Sequence, residues 1–190
     1  MAGIDFNDLP EDKFDNPLGE STGAAAIFGT SGGVMEAALR TAYYKITGNE
    51  LENLEFQDIR GLKEIKETTV KAGELTLNIA VVNGIGNVGH ILDDIASGNS
   101  KYHFIEVMTC PGGCINGGGQ PIHNNPEKVQ KRVKALYDID SKSARRASHH
   151  NESVNSVYKE FFGEPNSHLA HKVLHTSYVD RVKLLKEKIG

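Results

Sequence analysis

The sequence lacks a long hydrophobic run: its longest apolar stretches, GAAAIFG and NIAVVNG, have only the length of a strand. A transmembrane helix needs about 20 consecutive apolar residues, so the sequence predicts no membrane-spanning helix. The first residues, MAGIDFNDLPEDKF, are acidic and contain no apolar core of a secretory signal. We therefore expect a cytoplasmic protein that has no membrane partner.

Positive charge is not in excess either. The chain has 21 lysines and arginines against 25 aspartates and glutamates, which gives a net charge of -4. A chain without a positive field attracts nucleic-acid phosphates poorly, so we expect no nucleic-acid partner. With 38% hydrophobic and 24% charged residues, the composition is that of an ordinary globular protein, and 190 residues suffice to bury a substantial core.

Cysteine is scarce, and its placement is informative. The only two cysteines, Cys110 and Cys114, lie in the segment EVMTCPGGCINGGGQP at 106–121. In a reducing compartment such a pair is more typical of catalysis or metal binding than of a structural disulfide. The proline and two glycines between the thiols disfavour a helix, so the sequence predicts a tight loop.

The chemistry of this cysteine loop leaves alternatives open. Glycine N–H groups can donate to sulfur, and soft thiolates suit an iron–sulfur cluster better than a hard cation. A glycine-rich turn with two incidental thiols would have the same spacing. Zinc sites and cubane clusters normally take four protein ligands, and the chain supplies two thiols. Histidines could complete a zinc site, whereas a cysteine-ligated cubane would need thiols from elsewhere.

The order of apolar and turn-forming segments predicts an α/β or α+β fold in which helices pack on a small sheet. We expect an irregular polar segment at 1–22, an α/β lobe at 23–147 that carries the cysteine loop, and a helical C-terminal extension at 148–190. Pro126 suits the first position of a helix, and Gly48 suits the end of another. The predicted strands are 24–29, 62–70, 74–83 and 102–110, although the length of the run at 24–29 does not exclude a piece of helix. The predicted helices are 34–48, 87–98, 126–141, 153–163 and 167–190.

Two other glycine-rich segments are candidate binding sites. NGIGNVG at 83–89 has the G-x-G-x-x-G outline of a dinucleotide site, with Glu106 about 20 residues later as a ribose-binding acid. A tight turn between a strand and a helix explains the same glycines. GTSGG at 29–33 opens a helix whose free N–H groups suit an anion, and the alternative is a turn capped by Thr30 or Ser31.

Three histidines near the C-terminus form a candidate metal site. His168, His171 and His175 fall near one face of a predicted helix, and imidazoles bind transition metals. The neighbouring leucines and valine form an apolar stripe, which favours ordinary helix packing with the histidines at the surface.

The cysteine segment resembles the third signature of the iron-only (FeFe) hydrogenases, Glu-x-Met-x-Cys-x-x-Gly-Cys-x-x-Gly-Gly-Gly-Gln-Pro, and matches it at every fixed position. NPLGESTGAAAIFGTSGGVMEAALRTAY resembles the family stretch upstream of that signature, and GEPNSHLAHKVLHTSY resembles its C-terminal end. The resemblance implies a small twisted mixed sheet flanked by helices, as one of the two similar lobes that hold the cluster.

The same resemblance implies roles for four residues. In the family the catalytic centre, the H-cluster, is a 4Fe-4S cubane joined through one cysteine to a two-iron subcluster, and four cysteines hold it. Cys110 would ligate the cubane, and Cys114 would both ligate it and bridge to the two-iron subcluster. Met108 and Phe28 would pack around the two-iron subcluster, where an apolar shell limits solvent access.

The chain also departs from the family pattern. It has neither of the two earlier signatures, a Thr-Ser-Cys-Cys-Pro type and a Met-Pro-Cys type, which supply the other two cluster cysteines and the proton-delivering cysteine. The resemblance therefore implies that this chain is the C-terminal part of a hydrogenase that reversibly reduces protons to H2. The chain alone is expected to be inactive and to hold no stable cluster. Expected partners are the N-terminal lobe and a ferredoxin or similar electron carrier. The face left open by the missing lobe predicts self-association.

Two other functions stay open at this point. A related group of cluster-assembly proteins has a similar cysteine loop, so a non-enzymatic iron–sulfur scaffold or interaction module is the main alternative. In that case the two thiols would pair with thiols of a partner or of a second copy. A dinucleotide-binding subunit is a third interpretation, which the resemblance disfavours because the family has an ordinary strand-to-helix connection at NGIGNVG.

Overall fold

The computed structural model describes residues 5–13, 19, 21–121 and 125–178, in which two helices precede a hairpin, one helix separates the second and third strands, and three helices follow. The strands are β1 (Ile65–Ala72), β2 (Leu75–Asn83) and β3 (Phe104–Met108). The α-helices are α1 (Gly23–Ile27), α2 (Gly33–Thr47), α3 (Gly89–Ala96), α4 (Pro126–Lys142), α5 (Glu152–Val157) and α6 (His168–Leu174). None of these helices is long and apolar enough to cross a membrane.

The described sheet is mixed and has the order β1, β2, β3. β1 and β2 form an antiparallel hairpin in which Ala72 pairs with Leu75, and Gly73 between them takes a φ of 60°. β3 pairs in parallel with β2, and α3 forms the crossover between these two strands. The predicted hairpin and the predicted strand at 102–110 are confirmed, with boundaries shifted by a few residues.

The sheet lies between α2 and α3, and its central strand β2 packs against both. Because the side chains of a strand alternate between its faces, a strand covered on both sides is apolar at consecutive positions, as NIAVV is. This arrangement confirms the α/β class with a small mixed sheet flanked by helices. The cluster on the α2 side consists of Met35, Leu39, Ile59, Val70, Ile79 and Val81, and the cluster on the α3 side consists of Ala80, Val82 and Ile91.

The segment 24–29, for which a buried strand is predicted and a piece of helix is the alternative, is helical over residues 24–27 and forms a turn at 28–29. The Thr22 hydroxyl oxygen accepts a hydrogen bond from the Ala25 N–H (3.3 Å) and so caps α1. Alanine has the highest intrinsic helix propensity, and a short buried apolar run does not distinguish a strand from a helix. α1 packs against α2 and α4 instead of joining the sheet. At Gly23 the helices are so close that a Cβ would lie 2.9 Å from the Cα of Asp140.

A network of buried charges joins α2 to α4. The side chains of Arg40 and Asp140 are fully buried and form two hydrogen bonds of 2.8 and 2.9 Å. Arg40 also pairs with Glu36 (2.6 Å), and Arg146 pairs with Asp140 (2.7 Å). Burial by itself would raise the pKa of Asp140, but the hydrogen bonds from the two arginines outweigh it and hold this pKa below its usual value. Asp140 is therefore ionised at neutral pH.

The C-terminal region is helical, as predicted, but in shorter pieces. The helix predicted at 153–163 is α5 followed by one turn of π-helix (Tyr158–Phe162), and the helix predicted from 167 onwards ends at Leu174. The Ser167 hydroxyl caps α6 by accepting a hydrogen bond from the Ala170 N–H. Residues 179–190 of that predicted helix lie outside the described residues, as do parts of the segment 1–22.

Asp140→Asn is expected to lower the free energy of unfolding by about 3 kcal/mol, because Arg40 and Arg146 would lose a buried ionised partner. Urea unfolding at pH 7 measures the change. Asp138→Asn on the same helix is the control, since Asp138 pairs with Lys134 at the surface, where an ion pair contributes less than about 1 kcal/mol. Equal effects of the two substitutions would contradict the importance assigned to the buried network.

Candidate metal centre

The cysteine loop begins where β3 ends, and the turn after β2 supports its first residues. The carbonyl oxygens of Met108 and Thr109 accept hydrogen bonds from the N–H groups of Gly84 (2.8 Å) and Ile85 (3.1 Å). These bonds continue the pairing of β2 and β3 beyond the sheet. Cys110 follows directly, so the sheet determines where the first thiol starts.

Residues 28–32, which link α1 to α2, support the middle of the cysteine loop. The Ser31 N–H donates to the Gly112 carbonyl (3.1 Å), and the Ile115 N–H donates to the Gly29 carbonyl (3.2 Å). The N–H of Gly112 donates to the side-chain oxygen of Asn83 (2.5 Å). Buried backbone groups on both sides of the second thiol are therefore paired with groups from distant parts of the sequence.

Gly113 is the tightest point of the loop. Its φ is 95°, and a Cβ at this position would lie 2.6 Å from the Gly29 oxygen and 2.8 Å from the Ser31 nitrogen. Only glycine combines this conformation with this clearance. Gly117 stands beside the first thiol, because a Cβ there would lie 3.2 Å from the Cys110 sulfur. The two glycines thus bring backbone close to the α1–α2 link and to Cys110.

The two thiols differ in exposure. Cys110 is half-buried, whereas Cys114 is exposed at the start of a 3-10 turn (Cys114–Asn116), and both are free. A loop presents them, as the intervening proline and glycines predicted. Thiolates are soft ligands that suit iron–sulfur clusters. The loop can therefore hold part of a four-thiolate site.

The other two predicted site residues lie at the edges of the same loop. Phe28 directly follows α1, and the next residue, Gly29, is bonded to the residue that follows Cys114. The Phe28 side chain is 45% exposed. Met108 is half-buried at the end of β3, two residues before Cys110. The structure thus brings Phe28 close to the second cysteine in space, although the two are far apart in sequence.

Glu106 of β3 caps the N-terminus of α2 beneath the loop. Its two carboxylate oxygens accept hydrogen bonds from the N–H groups of Gly32 (2.6 Å) and Met35 (2.7 Å). A helix N-terminus favours a negative charge, and these N–H groups would otherwise be buried without an acceptor. Burial raises the pKa of Glu106, and the two hydrogen bonds together with Lys66 offset only part of that effect.

This contact decides between the alternatives for two glycine-rich segments. GTSGG does present N–H groups to an anion, but the anion is the carboxylate of Glu106. The cap predicted at Thr30 or Ser31 is wrong, since the Thr30 hydroxyl donates to the Ile27 carbonyl instead. The acid that the dinucleotide pattern requires is buried and bonded to α2, which leaves NGIGNVG as a tight strand-to-helix turn.

Lys66 of β1 is buried under the same link between α1 and α2. Its ammonium group donates to the carbonyl and the hydroxyl of Ser31 (2.9 and 3.2 Å). Burial lowers the pKa of Lys66 to about 8, although Glu106 acts in the opposite direction. Sequence analysis missed this residue. Lys66 is separated from the buried residues Val70 and Ala72 by even numbers of positions, so all three side chains lie on the same, inward face of β1. That spacing is the signal in the sequence.

The three histidines near the C-terminus do not form a metal site. The rings of His171 and His175 stack with their centroids 4.6 Å apart. Within the described ranges, however, these two and His168 do not bring three ligand atoms together. All three are exposed, as predicted, but the apolar stripe beside them is not packed: Leu169, Val173 and Leu174 are 38%, 53% and 53% exposed, so the predicted ordinary packing of this helix is not found.

Comparison with known proteins places this loop in a family. Residues 1–118 match the family model of the iron-only hydrogenase large subunit, C-terminal domain. The chain belongs to the iron-only hydrogenase family. Residues 126–181 match the model of the iron hydrogenase small subunit, so α4 and the helices after it correspond to that second unit. The resemblance inferred from the cysteine signature is confirmed.

Curated relatives include several hydrogenases that are much longer than this chain. The NADP-reducing hydrogenase subunit HndD of Solidesulfovibrio fructosivorans is 48% identical over 95% of this chain and 31% of its own length. Iron hydrogenase 1 of Clostridium pasteurianum is 43% identical over 93% of this chain and 32% of its own length. The chain therefore spans about a third of the length of these relatives.

Solved structures give the same family and show the fold over most of the chain. A structure of FeFe-hydrogenase HydA1 from Chlamydomonas reinhardtii is 41% identical, has a TM-score of 0.66, and covers 93% of this chain and 51% of its own. More distant relatives include the protein NAR1 of Arabidopsis thaliana, which is 29% identical over 100% of this chain and 41% of its own length.

Gly113→Ala is expected to destabilise the protein by roughly 2 kcal/mol, because alanine would be strained at a positive φ and its Cβ would meet the Gly29 oxygen. Thermal and urea unfolding measure the loss. Gly118→Ala in the same loop is the matched control, since nothing lies within 4 Å of its added Cβ. A tolerated alanine at Gly113 would contradict the close approach of the loop to the α1–α2 link.

Lys66 is expected to make stability rise with pH between about 8 and 10.4. The folded protein releases the Lys66 proton near pH 8, whereas the unfolded chain keeps it until about pH 10.4, so the unfolded state binds more protons in this window. Urea unfolding across this range should show a gain of roughly 3 kcal/mol relative to Lys66→Met. Lys71→Met, at an exposed position of the same strand, should keep the wild-type slope, and the same slope in Lys66→Met would refute the assignment.

Proposed function

We propose that this chain provides half of the catalytic centre of an iron-only hydrogenase, which reversibly reduces protons to H2. Cys110 ligates the 4Fe-4S cubane of an H-cluster, and Cys114 ligates the cubane and bridges it to the two-iron subcluster. The observation that carries the proposal is the cysteine loop, in which two free thiols sit on a backbone bonded to the α1–α2 link. The chain alone is expected to be inactive.

The residues of the loop fit half of such a cofactor. The two thiols are soft donors of the kind that iron–sulfur clusters require. Gly117 leaves clearance beside the Cys110 sulfur, and Cys114 is open to an incoming group. Four thiolates are needed and this chain contains two cysteines, so the other two come from the remainder of the enzyme. The bound cluster supplies the electron transfer and the proton reduction, while the chain positions it and limits its contact with water.

Phe28 and Met108 are proposed to cover the two-iron side of the site. Both side chains are apolar and lie at the edges of the cysteine loop. The large exposed fraction of Phe28 gives the ring an apolar surface on which a cofactor or a second lobe can pack. An apolar surrounding excludes solvent and tunes the potential of a metal site.

The proposed partner is the N-terminal lobe of the catalytic domain, and a ferredoxin or similar carrier delivers electrons to the complete enzyme. β3 is an edge strand of the described sheet. Exposed apolar side chains along it and along α3 are typical of a contact surface, and they predict self-association when the lobe is absent. These side chains are Leu92, Ile95, Phe104 and Val107.

The division of the chain into 1–22, 23–147 and 148–190 is retained as a proposal. α4 is tied to the α/β lobe by Arg40 and Asp140, and the Gly23 N–H donates to the Arg145 carbonyl (2.8 Å). These contacts support the assignment of α4 to the α/β lobe, whereas the two family models divide the chain before α4.

A second candidate function is a non-enzymatic iron–sulfur scaffold. Cytosolic iron-sulfur assembly component 3 of Mus musculus is 32% identical over 79% of this chain and 31% of its own length. The periplasmic Fe hydrogenase large subunit of Nitratidesulfovibrio vulgaris is 54% identical over 64% of this chain and 29% of its own length. The higher identities favour the hydrogenase function. Because these names include a periplasmic and a cytosolic protein, the cytoplasm stays a prediction for this chain.

The test combines this chain with a separately expressed N-terminal hydrogenase segment that carries the two missing cysteine signatures. Iron, acid-labile sulfide and H2 evolution are measured after anaerobic reconstitution of the H-cluster. The pair should bind the cluster and evolve H2, and the chain alone should contain almost no iron. Cys110→Ser and Cys114→Ser should each abolish activity, because each removes a thiolate ligand, whereas Thr109→Ser in the same loop should retain it.

Two outcomes would overturn this proposal. A stable cubane on the chain alone, without H2 evolution by the pair, would favour the scaffold function. Unchanged iron content in both cysteine variants of the pair would contradict the ligand assignment.

A further inference from the structure

A second cluster of possible metal ligands lies at the C-terminal end of α2, at the other end of this helix from Glu106. It consists of Glu50, His149 and His150. Glu50 lies just after the C-terminus of α2, and the two histidines belong to the 3-10 turn Ser148–His150. A Glu50 carboxylate oxygen lies 3.1 Å from Nε2 of His149 and 2.8 Å from Nε2 of His150. Among the described residues, these three form the group of His, Cys, Asp or Glu side chains whose ligand atoms all lie within 4.8 Å of one another.

These separations are close to those of ligands around one small cation. Zinc binds imidazole nitrogen and carboxylate oxygen at about 2.0–2.1 Å, which places neighbouring ligand atoms of a tetrahedral site roughly 3.3 Å apart. The Glu50 carboxylate oxygen lies somewhat closer than this to both histidine nitrogens, at 3.1 and 2.8 Å, so a bound ion would move these atoms apart by only a few tenths of an ångström. Two imidazoles and one carboxylate are also a donor set for transition metals, whereas calcium and magnesium prefer oxygen ligands.

The ring of His149 is held in the orientation that a metal ligand needs. Its Nδ1 lies 3.2 Å from the Thr41 hydroxyl, and its ring stacks on Tyr44 with centroids 4.3 Å apart and planes 3° apart. The side chain of Asn155 donates to the His149 carbonyl (3.0 Å). A metal-bound histidine typically donates the N–H of its other ring nitrogen to an oxygen, as Nδ1 of His149 can to the Thr41 hydroxyl, and this bond directs Nε2 at the metal.

We propose that Glu50, His149 and His150 bind one divalent transition-metal ion such as zinc. The ion would connect the start of the C-terminal extension to the end of α2. The side chains of Glu50 and His150 are 46% exposed, whereas that of His149 is 5% exposed. The buried histidine therefore anchors the ion, and the exposed side leaves a fourth position to water. The site is separate from the cysteine loop and does not depend on the hydrogenase function.

A carboxylate paired with two imidazoles, without a metal, is the competing explanation for the same contacts. Burial raises the pKa of Glu50, but the hydrogen bonds from His149 and His150 outweigh it and lower that pKa overall. In such an ion pair the Nδ1–H of His149 would also donate to the Thr41 hydroxyl, so this contact fits both explanations. Zinc affinity, and its loss when Glu50 or His150 is replaced, separates the two explanations.

The experiment uses the untagged 190-residue chain with Cys110→Ser and Cys114→Ser, so that thiolates cannot bind the added zinc. Zinc ion alone is titrated at pH 7.5 in competition with a chromophoric chelator. One equivalent is expected to bind and to raise Tm. Glu50→Gln and His150→Gln, both at exposed positions, should abolish binding, and Thr41→Val should weaken it by about 10- to 100-fold. His171→Gln is the matched control and should bind as the parent does.

Circular dichroism confirms that each variant is folded before its affinity is compared. The proposal is overturned if the parent binds no zinc at millimolar concentration. It is also overturned if Glu50→Gln and His150→Gln bind as the parent does, or if His171→Gln is the variant that loses binding.

Discussion

The two hydrogen bonds from the start of α2 to Glu106 are the constraint on which the candidate centre depends. Glu106 lies in β3, whose end leads directly into the cysteine loop, and its carboxylate accepts the N–H groups of Gly32 and Met35. The residues just before Gly32 are bonded to the loop on either side of its second cysteine. A single buried carboxylate thus closes a ring of contacts from strand to helix to loop. Without it, the N–H groups of Gly32 and Met35 would lose their acceptor next to the residues that support the loop.

The buried charges of Arg40 and Asp140 determine how the second half of the chain packs on the first. A buried ion pair is not by itself more stabilising than a well-packed apolar contact, but it is satisfied in few arrangements of its partners. Because both side chains are fully buried and doubly hydrogen-bonded, α4 meets α2 in one orientation. That orientation carries the chain after α4 back to the end of α2, where His149 stacks on Tyr44. The position of the C-terminal extension follows from this pairing.

The cysteine loop is hydrogen-bonded on the side of its own lobe and exposed on the other side. Its backbone is bonded to β2 and to the α1–α2 link, so the loop is formed by the protein itself. Cys114 and Phe28 remain exposed. A soft ligand and an aromatic ring left in water at the edge of a well-packed lobe suit a cofactor that lies between two lobes. The preformed loop reduces the conformational entropy that cofactor binding would otherwise cost.

Local pattern determined most of the elements, whereas a resemblance indicated the family. The hairpin, β3 and α4 follow from apolar periodicity, turn residues and Pro126, and α2 follows from helix propensity as much as from periodicity, because these signals act within one or two turns of chain. The cysteine segment indicated the family because it matches a known signature at every fixed position. Periodicity failed for α1, where a short run of alanines is compatible with either structure until its neighbours are known. Only the tertiary structure decided the pairing of Glu106 with Gly32 and Met35 and that of Asp140 with Arg40, over separations of 71 to 100 residues. A sequence pattern shows which face of an element is buried, whereas the group opposite that face depends on how the whole chain packs.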